Sequence, residues 1–206
     1  MTQTSDQVLL TGFQPFANHK SNPSAEVAAH VAAENGYDFL VLPVGFKEAA
    51  QILLHQLEKN SYHTVIALGL AANRSSISLE RIALNLIDAR IPDEFGQQPI
   101  DEPLIAEAPL AIHTSLPIKK IHQHLEKERI SSEVSYSAGT YVCNAVFFHL
   151  LHHRKTVNPS LKCGFIHIPL EELMPLEITK QAIKIATDTT ISSESDTKGL
   201  SVGTIS

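Results

Sequence analysis

The sequence predicts a single-domain α/β protein: a three-layer α/β/α sandwich around a largely parallel, twisted sheet. Three observations carry that expectation. Short apolar runs alternate with amphipathic stretches along most of the chain, the pattern that builds parallel sheets covered by helices on both faces. The 206 residues are 43% hydrophobic and 18% charged, enough apolar material for one ordinary core. No repeat or internal linker divides the chain, so residues 1–193 read as one domain and 194–206 as a frayed, Ser/Gly-rich tail.

The elements follow in order. Val8-Leu9-Leu10-Thr11 is a buried strand closed by Gly12. Asn22 then stands as N-cap with Pro23 at the first helical position, and that helix stops at Asn35-Gly36. Phe39 to Leu42 is a strand. Phe46, Ala49, Ala50, Leu53, Leu54 and Leu57 recur at helical spacing and define one helix face. Thr64 to Leu68 is the third strand, ended by Gly69. Ile77 to Ile87 mixes both periods and leans towards strand. Pro92 to Pro109 holds four prolines and little periodicity, a long surface excursion of the kind that is often functional. A helix starts at Pro117, with Ile118, Ile121 and Leu125 on one face. Val134–Tyr136 and Phe165–Ile168 read as strands, Cys143–His153 and Pro175–Ser192 as helices.

Composition excludes several function classes. No apolar run reaches the ~18 residues of a membrane span. The start, Met1-Thr2-Gln3-Thr4-Ser5-Asp6, lacks a cationic segment followed by an apolar one, so no secretory signal is expected. Sixteen Lys and Arg against 22 Asp and Glu give a net charge of −6 without a basic block, which disfavours a nucleic-acid partner. Cys143 and Cys163 read as free thiols in a reducing, cytoplasmic compartment.

In open α/β sheets, sites form beyond the carboxyl ends of strands. Cys143 begins a helix after the turn Ser137-Ala138-Gly139-Thr140-Tyr141-Val142, where the helix dipole and unpaired amides favour negative charge and can activate a thiol. His167 follows 24 residues later, near the end of an apolar strand. If the strands before Cys143 and around His167 are neighbours, thiol and imidazole can meet as a nucleophile–base pair. The residues alone also allow a small buried hydrophobe and a satisfied core histidine. Glu80, between Leu79 and Arg81, is a half-buried carboxylate that needs a partner; Arg81 and His167 both stand open. Cys163, at the start of its strand, reads as a packed thiol. His149 with His153, and His122 with His124, lack the third ligand and fixed pattern of a zinc site. Gly69-Leu70-Ala71-Ala72-Asn73-Arg74 lacks the glycine and lysine signatures of nucleotide loops, and no G-x-S-x-G elbow occurs. Neither metal nor cofactor is expected.

Four stretches together resemble the cysteine-dependent pyroglutamyl peptidases, also called pyrrolidone-carboxylate peptidases. They are Leu10-Thr11-Gly12-Phe13-Gln14-Pro15-Phe16 with Asn22-Pro23-Ser24; Leu79-Glu80-Arg81-Ile82-Ala83-Leu84-Asn85 running to Asp88-Ala89-Arg90-Ile91-Pro92-Asp93; Ser137 to Asn144; and Gly164-Phe165-Ile166-His167-Ile168-Pro169. The resemblance spans roughly Val8 to Ile185 and implies a phosphorylase/hydrolase-like fold. It implies Cys143 as nucleophile, His167 as general base and then acid, Glu80 as the group orienting His167, and Arg90 with the Cys143 backbone amide at the oxyanion. It also implies Phe13 and Phe16 sandwiching the substrate ring, Tyr141 closing the pocket, Asn22 near the lactam, peptides with N-terminal pyroglutamate as substrates, and a homotetramer. Hydrophobic loop anchors and a helix cap are the alternatives for the phenylalanines and for Asn22.

The chain departs from the family pattern at Ala17-Asn18, at Ala72-Asn73, both places where the family carries glycine pairs, and in the turn Asp93-Glu94-Phe95-Gly96. Ala tolerates positive φ poorly, so both loops are expected to differ in path. A catalytically impaired peptide-binding homologue, or another α/β hydrolase or phosphorylase-like enzyme with a structural Cys143, is the rival reading.

Overall fold

The computed structural model describes residues 7–15, 22–192, 196–197 and 199–203. The Met1–Asp6 start, Phe16 and the Ala17-Asn18 departure lie outside them. Among the described residues, six strands form one sheet in the order β2-β1-β3-β8-β4-β7. They are β1 (Val8–Phe13), β2 (Asp38–Leu42), β3 (Thr64–Leu70), β4 (Ile77–Glu80), β7 (Ser132–Ser135) and β8 (Lys162–Ile168). A separate two-stranded sheet pairs β5 (Ile82–Leu84) with β6 (Ala111–His113). The helices are α1 (Pro23–Asn35), α2 (Phe46–Lys59), α3 (Ile118–Lys127), α4 (Val142–Thr156) and α5 (Leu176–Ile191). Among these residues, no helix is long and apolar enough to cross a membrane.

Side-chain alternation along the central strands divides the core into two layers. Val8, Leu10, Ile66, Leu68, Ile77, Leu79, Ile166 and Ile168 face α1, α3 and α5. Leu9, Phe13, Val65, Ala67, Cys163 and Phe165 face α2 and α4. Glu80 and His167 sit in step with the second set, so both point toward the α4 side. The buried rings of Phe147, Phe148 and Phe165 anchor that layer, each contributing roughly 1.5–3 kcal/mol of transfer free energy.

Local chemistry explains the elements nearest the site. Asn22 caps α1 by accepting from the Ser24 N–H at 3.1 Å, and Pro23 pre-sets the first turn. Gly36, at φ 68°, ends the helix with its N–H on the Ala32 carbonyl. The N-terminus of α2 is capped from a distance: the buried Asp93 carboxylate accepts from Phe46 N–H at 2.9 Å. Asp93 also accepts from the N–H groups of Phe95 and Gln97. The proline-rich excursion is thereby buckled onto the β2–α2 connection, and Glu94 adds a bond from Val44 N–H.

Two expectations need correction. The strand around His167 is not beside the one preceding Cys143, because β4 lies between β8 and β7. The sheet is largely parallel, as expected, and among the described residues its one antiparallel pairing is β4 on β8. The Ile77–Ile87 stretch is two strands, split at Arg81, and the second leaves the main sheet to pair with β6, for which three residues gave no periodic signal. In the tail expected to fray, Asp196 accepts from the N–H groups of Lys119 and Lys120 at the start of α3, and Thr197 reaches Gln123.

Candidate active site

The site begins with the antiparallel pairing of β4 on β8. Ser78 stands opposite His167, which places Glu80, two residues on and on the same face, diagonal to the imidazole. His167 Nδ1 and Glu80 Oε1 are 2.7 Å apart. Both are buried, at 5% and 0% exposure. With Nδ1 committed to the carboxylate, Nε2 is the nitrogen left for the thiol of Cys143, which lies near enough to act on the ring's titration. Burial alone would push the imidazole's pKa down. Hydrogen bonds and charge from Cys143 and Glu80 outweigh it and raise it to about 9. Glu80 balances the other way: burial favours its neutral form, but His167, Ser135 and Arg74 hold its pKa below the ordinary value.

Cys143 occupies the first turn of α4, whose N-cap, Tyr141, supplies no side-chain cap. First-turn amides have no intrahelical acceptor, so the Cys143 N–H is available beside its own sulfur. Two neighbours set the thiol's place. The fully buried Asn144 side chain bonds Leu84 N–H, Leu84 carbonyl and Leu86 carbonyl at 2.9, 2.9 and 3.1 Å, fastening α4 to β5. Gly69 is in register with His167 on β3, and a Cβ there would come within 2.9 Å of the Cys143 sulfur and 2.7 Å of Phe165 Cζ. Only a residue without a side chain leaves that space.

A cavity of about 150 Å³ opens beside the thiol, the scale that holds one small ring (~150 Å³ for benzene). Its walls include Phe13, Val44, Leu70, Ala72 and Tyr141, with Asn22 as the polar member and Cys143 on the lining. For Phe13 and Asn22 an anchoring or capping role and a place on the cavity wall coexist. Phe13 is 2% exposed and packs on Phe165 while bordering the cavity, and Asn22 caps α1 from the same position. The Tyr141 hydroxyl donates to the Pro92 carbonyl at 2.9 Å, and its ring meets Phe46 edge-on at 5.0 Å. Burial first, then the charges of Asp93, Glu94 and Cys143, push its phenol to about 12. The larger surface groove between α3 and α5, lined by His124, Lys127 and Asp188 among others, is remote from this chemistry.

Cys143, His167 and Glu80 are thus brought together, and Phe13, Asn22 and Tyr141 line the adjoining cavity. Arg90 is exposed and does not line it. Arg81 does not pair with Glu80; its guanidinium stands 6.0 Å over the Tyr136 ring. The cation on Glu80 is Arg74, at 2.8 Å, a residue legible in the sequence only as part of a loop. At Ala72-Asn73 the expected change of path has no positive-φ cause, since among the described non-glycine residues only Asp101, Glu107 and Arg129 have positive φ. Cys163 is buried and packed, and burial foremost raises its thiol to about 12.

With this geometry in place, likeness to known proteins decides the family. The pyroglutamyl peptidase family profile matches residues 6–205. The chain belongs to the pyroglutamyl peptidase family. A pyrrolidone-carboxylate peptidase of Thermococcus litoralis is 45% identical over 79% of this chain and 76% of its own length. One of Bacillus cytotoxicus is 40% identical over 87% of this chain and 86% of its own. Among solved structures, the pyrrolidone carboxyl peptidase of T. litoralis superposes with TM-score 0.89 at 38% identity, covering 94% of this chain and 99% of that one. Pyroglutamyl peptidase I of Bacillus amyloliquefaciens gives 0.87 at 36% identity, covering 94% and 100%. Membership makes the protein a peptidase of the pyroglutamyl type, on a single-domain α/β fold.

Proposed function

We infer that the protein is a cysteine exopeptidase that hydrolyses the amide bond after an N-terminal pyroglutamyl residue through a thioester on Cys143. The observation that carries this reading is the hydrogen-bonded His167–Glu80 pair with the Cys143 thiol close by, beside a cavity of single-ring size that Cys143 lines. The Cys143 sulfur attacks the acyl carbon while its proton resides on His167. The imidazolium then protonates the leaving amine, and a C–S bond replaces the C–N bond. Water, losing its proton to His167, attacks the thioester and releases pyroglutamate and the thiol. Glu80 holds the ring in the orientation that presents Nε2 to the sulfur.

The oxyanion of each tetrahedral step is served by unclaimed N–H groups of the α4 first turn, Cys143's included; each such donor is typically worth ~2.7–4 kcal/mol. Arg90 is assigned to the oxyanion on the resemblance alone, and its exposed side chain would have to turn inward. Asn22 has one amide proton to spare: Oδ1 accepts from Ser24 N–H and hydroxyl, and one Nδ2 proton goes to the Gln14 carbonyl. The remaining proton suits a lactam carbonyl. Phe13 and Tyr141 provide flat apolar walls, and Phe16, outside the described residues, is retained as their partner. No cofactor or metal takes part in this scheme. A homotetrameric, cytoplasmic enzyme completes the reading.

The test is release of a reporter amine from a pyroglutamyl amide, abolished by thiol alkylation and insensitive to chelators. Prolyl amides, with an ammonium and no lactam carbonyl, should be poor substrates. Cys143→Ala should lower kcat/KM by about 10⁴-fold or more; turnover by that variant, or equal rates on prolyl and pyroglutamyl amides, rejects the assignment.

A further inference from the structure

Glu80 orients His167, but a carboxylate that orients must itself be held. Both of its contacts at direct hydrogen-bond distance fall on one oxygen: His167 Nδ1 at 2.7 Å and Arg74 Nη1 at 2.8 Å both meet Oε1. The other oxygen, Oε2, is buried without a hydrogen-bond partner. Without Arg74, the carboxylate would be fixed chiefly by the ring it is meant to fix. Arg74 also reaches past Glu80. The same Nη1 donates to the Ser135 hydroxyl at 3.2 Å, and Nη2 donates to the Ser137 carbonyl at 3.0 Å. Ser137 opens the turn that leads to Cys143. One guanidinium therefore ties the orienting carboxylate to the segment that delivers the nucleophile, a forked geometry that the lysine ammonium lacks.

We propose that Arg74 is a positioning residue of the reaction, holding Glu80 ionised and in place and fastening the turn before Cys143. This deepens the peptidase reading above and rests on it. The groups facing Glu80 are His167 on β8, Arg74 from the β3–β4 connection and Ser135 on β7, with Cys143 on α4 beyond the imidazole. Glu133, two residues before Ser135 on β7, is engaged by the Ser78 hydroxyl, and Arg81 is turned to Tyr136. Arg74 is then the one fixed positive charge on Glu80 among the described residues. Its charge lowers the pKa of Glu80. The orienting charge is lost as pH falls through that lowered value, and without Arg74 it is lost at a higher pH.

The experiment compares Arg74→Lys with Arg74→Gln against the unaltered protein. It records kcat and KM for a pyroglutamyl amide across pH, together with the pH dependence of Cys143 alkylation by iodoacetamide, located by peptide mapping. The glutamine variant should shift the acid limb of both profiles upward by about one pH unit and lower kcat about tenfold or more with KM within twofold. The lysine variant should keep the limb in place, with kcat reduced because Ser137 is released. Either variant decides if the other does not fold. A glutamine variant with an unmoved acid limb, or a lysine variant whose limb moves as far as glutamine's, overturns the proposal and leaves Arg74 a structural tether. Alkylation requires no substrate, so a protein inactive on pyroglutamyl amides would refute the peptidase reading while the alkylation profiles still judge Arg74.

Discussion

Gly69→Ala tests the site's packing without replacing any reacting group. The added methyl would stand 2.9 Å from the Cys143 sulfur and 2.7 Å from Phe165 Cζ, where ordinary contact begins at 3.4 Å. Sulfur must retreat by about 0.5 Å and the ring by about 0.7 Å. Phe165 is fully buried and its ring lies 4.8 Å from that of His167, so the push reaches base as well as nucleophile. Overpacking of this kind costs ~1–3 kcal/mol, partly offset by ~0.4–1 kcal/mol from a stiffer unfolded chain. At ~2–4 °C per kcal/mol for a chain of this size, Tm should fall by up to about 10 °C. Misplacement by 1 Å can cost ~10²-fold in rate, so kcat on a pyroglutamyl amide should drop about 10- to 100-fold at temperatures where the variant is fully folded. Gly36→Ala is the control. Its φ of 68° strains an alanine, but nothing lies within 4 Å of the new methyl. It should lose ~1–2 kcal/mol of stability and no activity. A Gly69→Ala enzyme with unaltered kcat would show that the sulfur position is not constrained as described.

Further outcomes follow from the same geometry. With His167 raised to about 9, its charged form is complete below the ordinary value of about 6.5. The ring's contribution to stability, and kcat/KM, should decline as pH rises through about 9. Glu80→Gln removes one of the two groups that raise the ring, so the alkaline limb of kcat/KM should move to lower pH; a limb that stays put argues against the Glu80–His167 bond. Asn22→Ala removes the α1 cap, lowering stability by ~1 kcal/mol, and should raise KM more than it lowers kcat; denaturant titration and steady-state kinetics separate the two. Asp93→Ala strips the acceptor from three backbone N–H groups and should lower Tm by several degrees while raising KM, because Val44 and Tyr141 are both held from this segment.

The sequence disclosed the alternation of strand and helix because each long element carried its own periodicity and caps: Asn22, Pro23 and Gly36 bound α1 at the expected places. It offered Cys143, His167 and Glu80 as candidates because reactive residue types stood beside apolar runs in the order of a known family. What it could not disclose depends on contacts distant along the chain. β6 has three residues and no pattern of its own; pairing with β5 alone defines it. The placement of β4 between β7 and β8 is a matter of topology, which local periodicity does not encode. Arg74 reaches Glu80 over six residues and Ser137 over 63, and a side chain's direction out of a loop is set by the sheet edge beneath it. Gly69 read as a strand terminator, whereas β3 continues to Leu70 and the glycine makes room for sulfur. The Asn144 bonds to β5 were hidden for the same reason: they join segments about sixty positions apart.

The most direct measurement mixes the enzyme with a pyroglutamyl ester or amide, quenches in acid within the first turnover, and maps the acylated residue by mass spectrometry. One pyroglutamyl group on the peptide containing Cys143, absent when His167 is replaced by alanine, is the expected result. Acyl transfer to another residue, or normal turnover by Cys143→Ala, would contradict it.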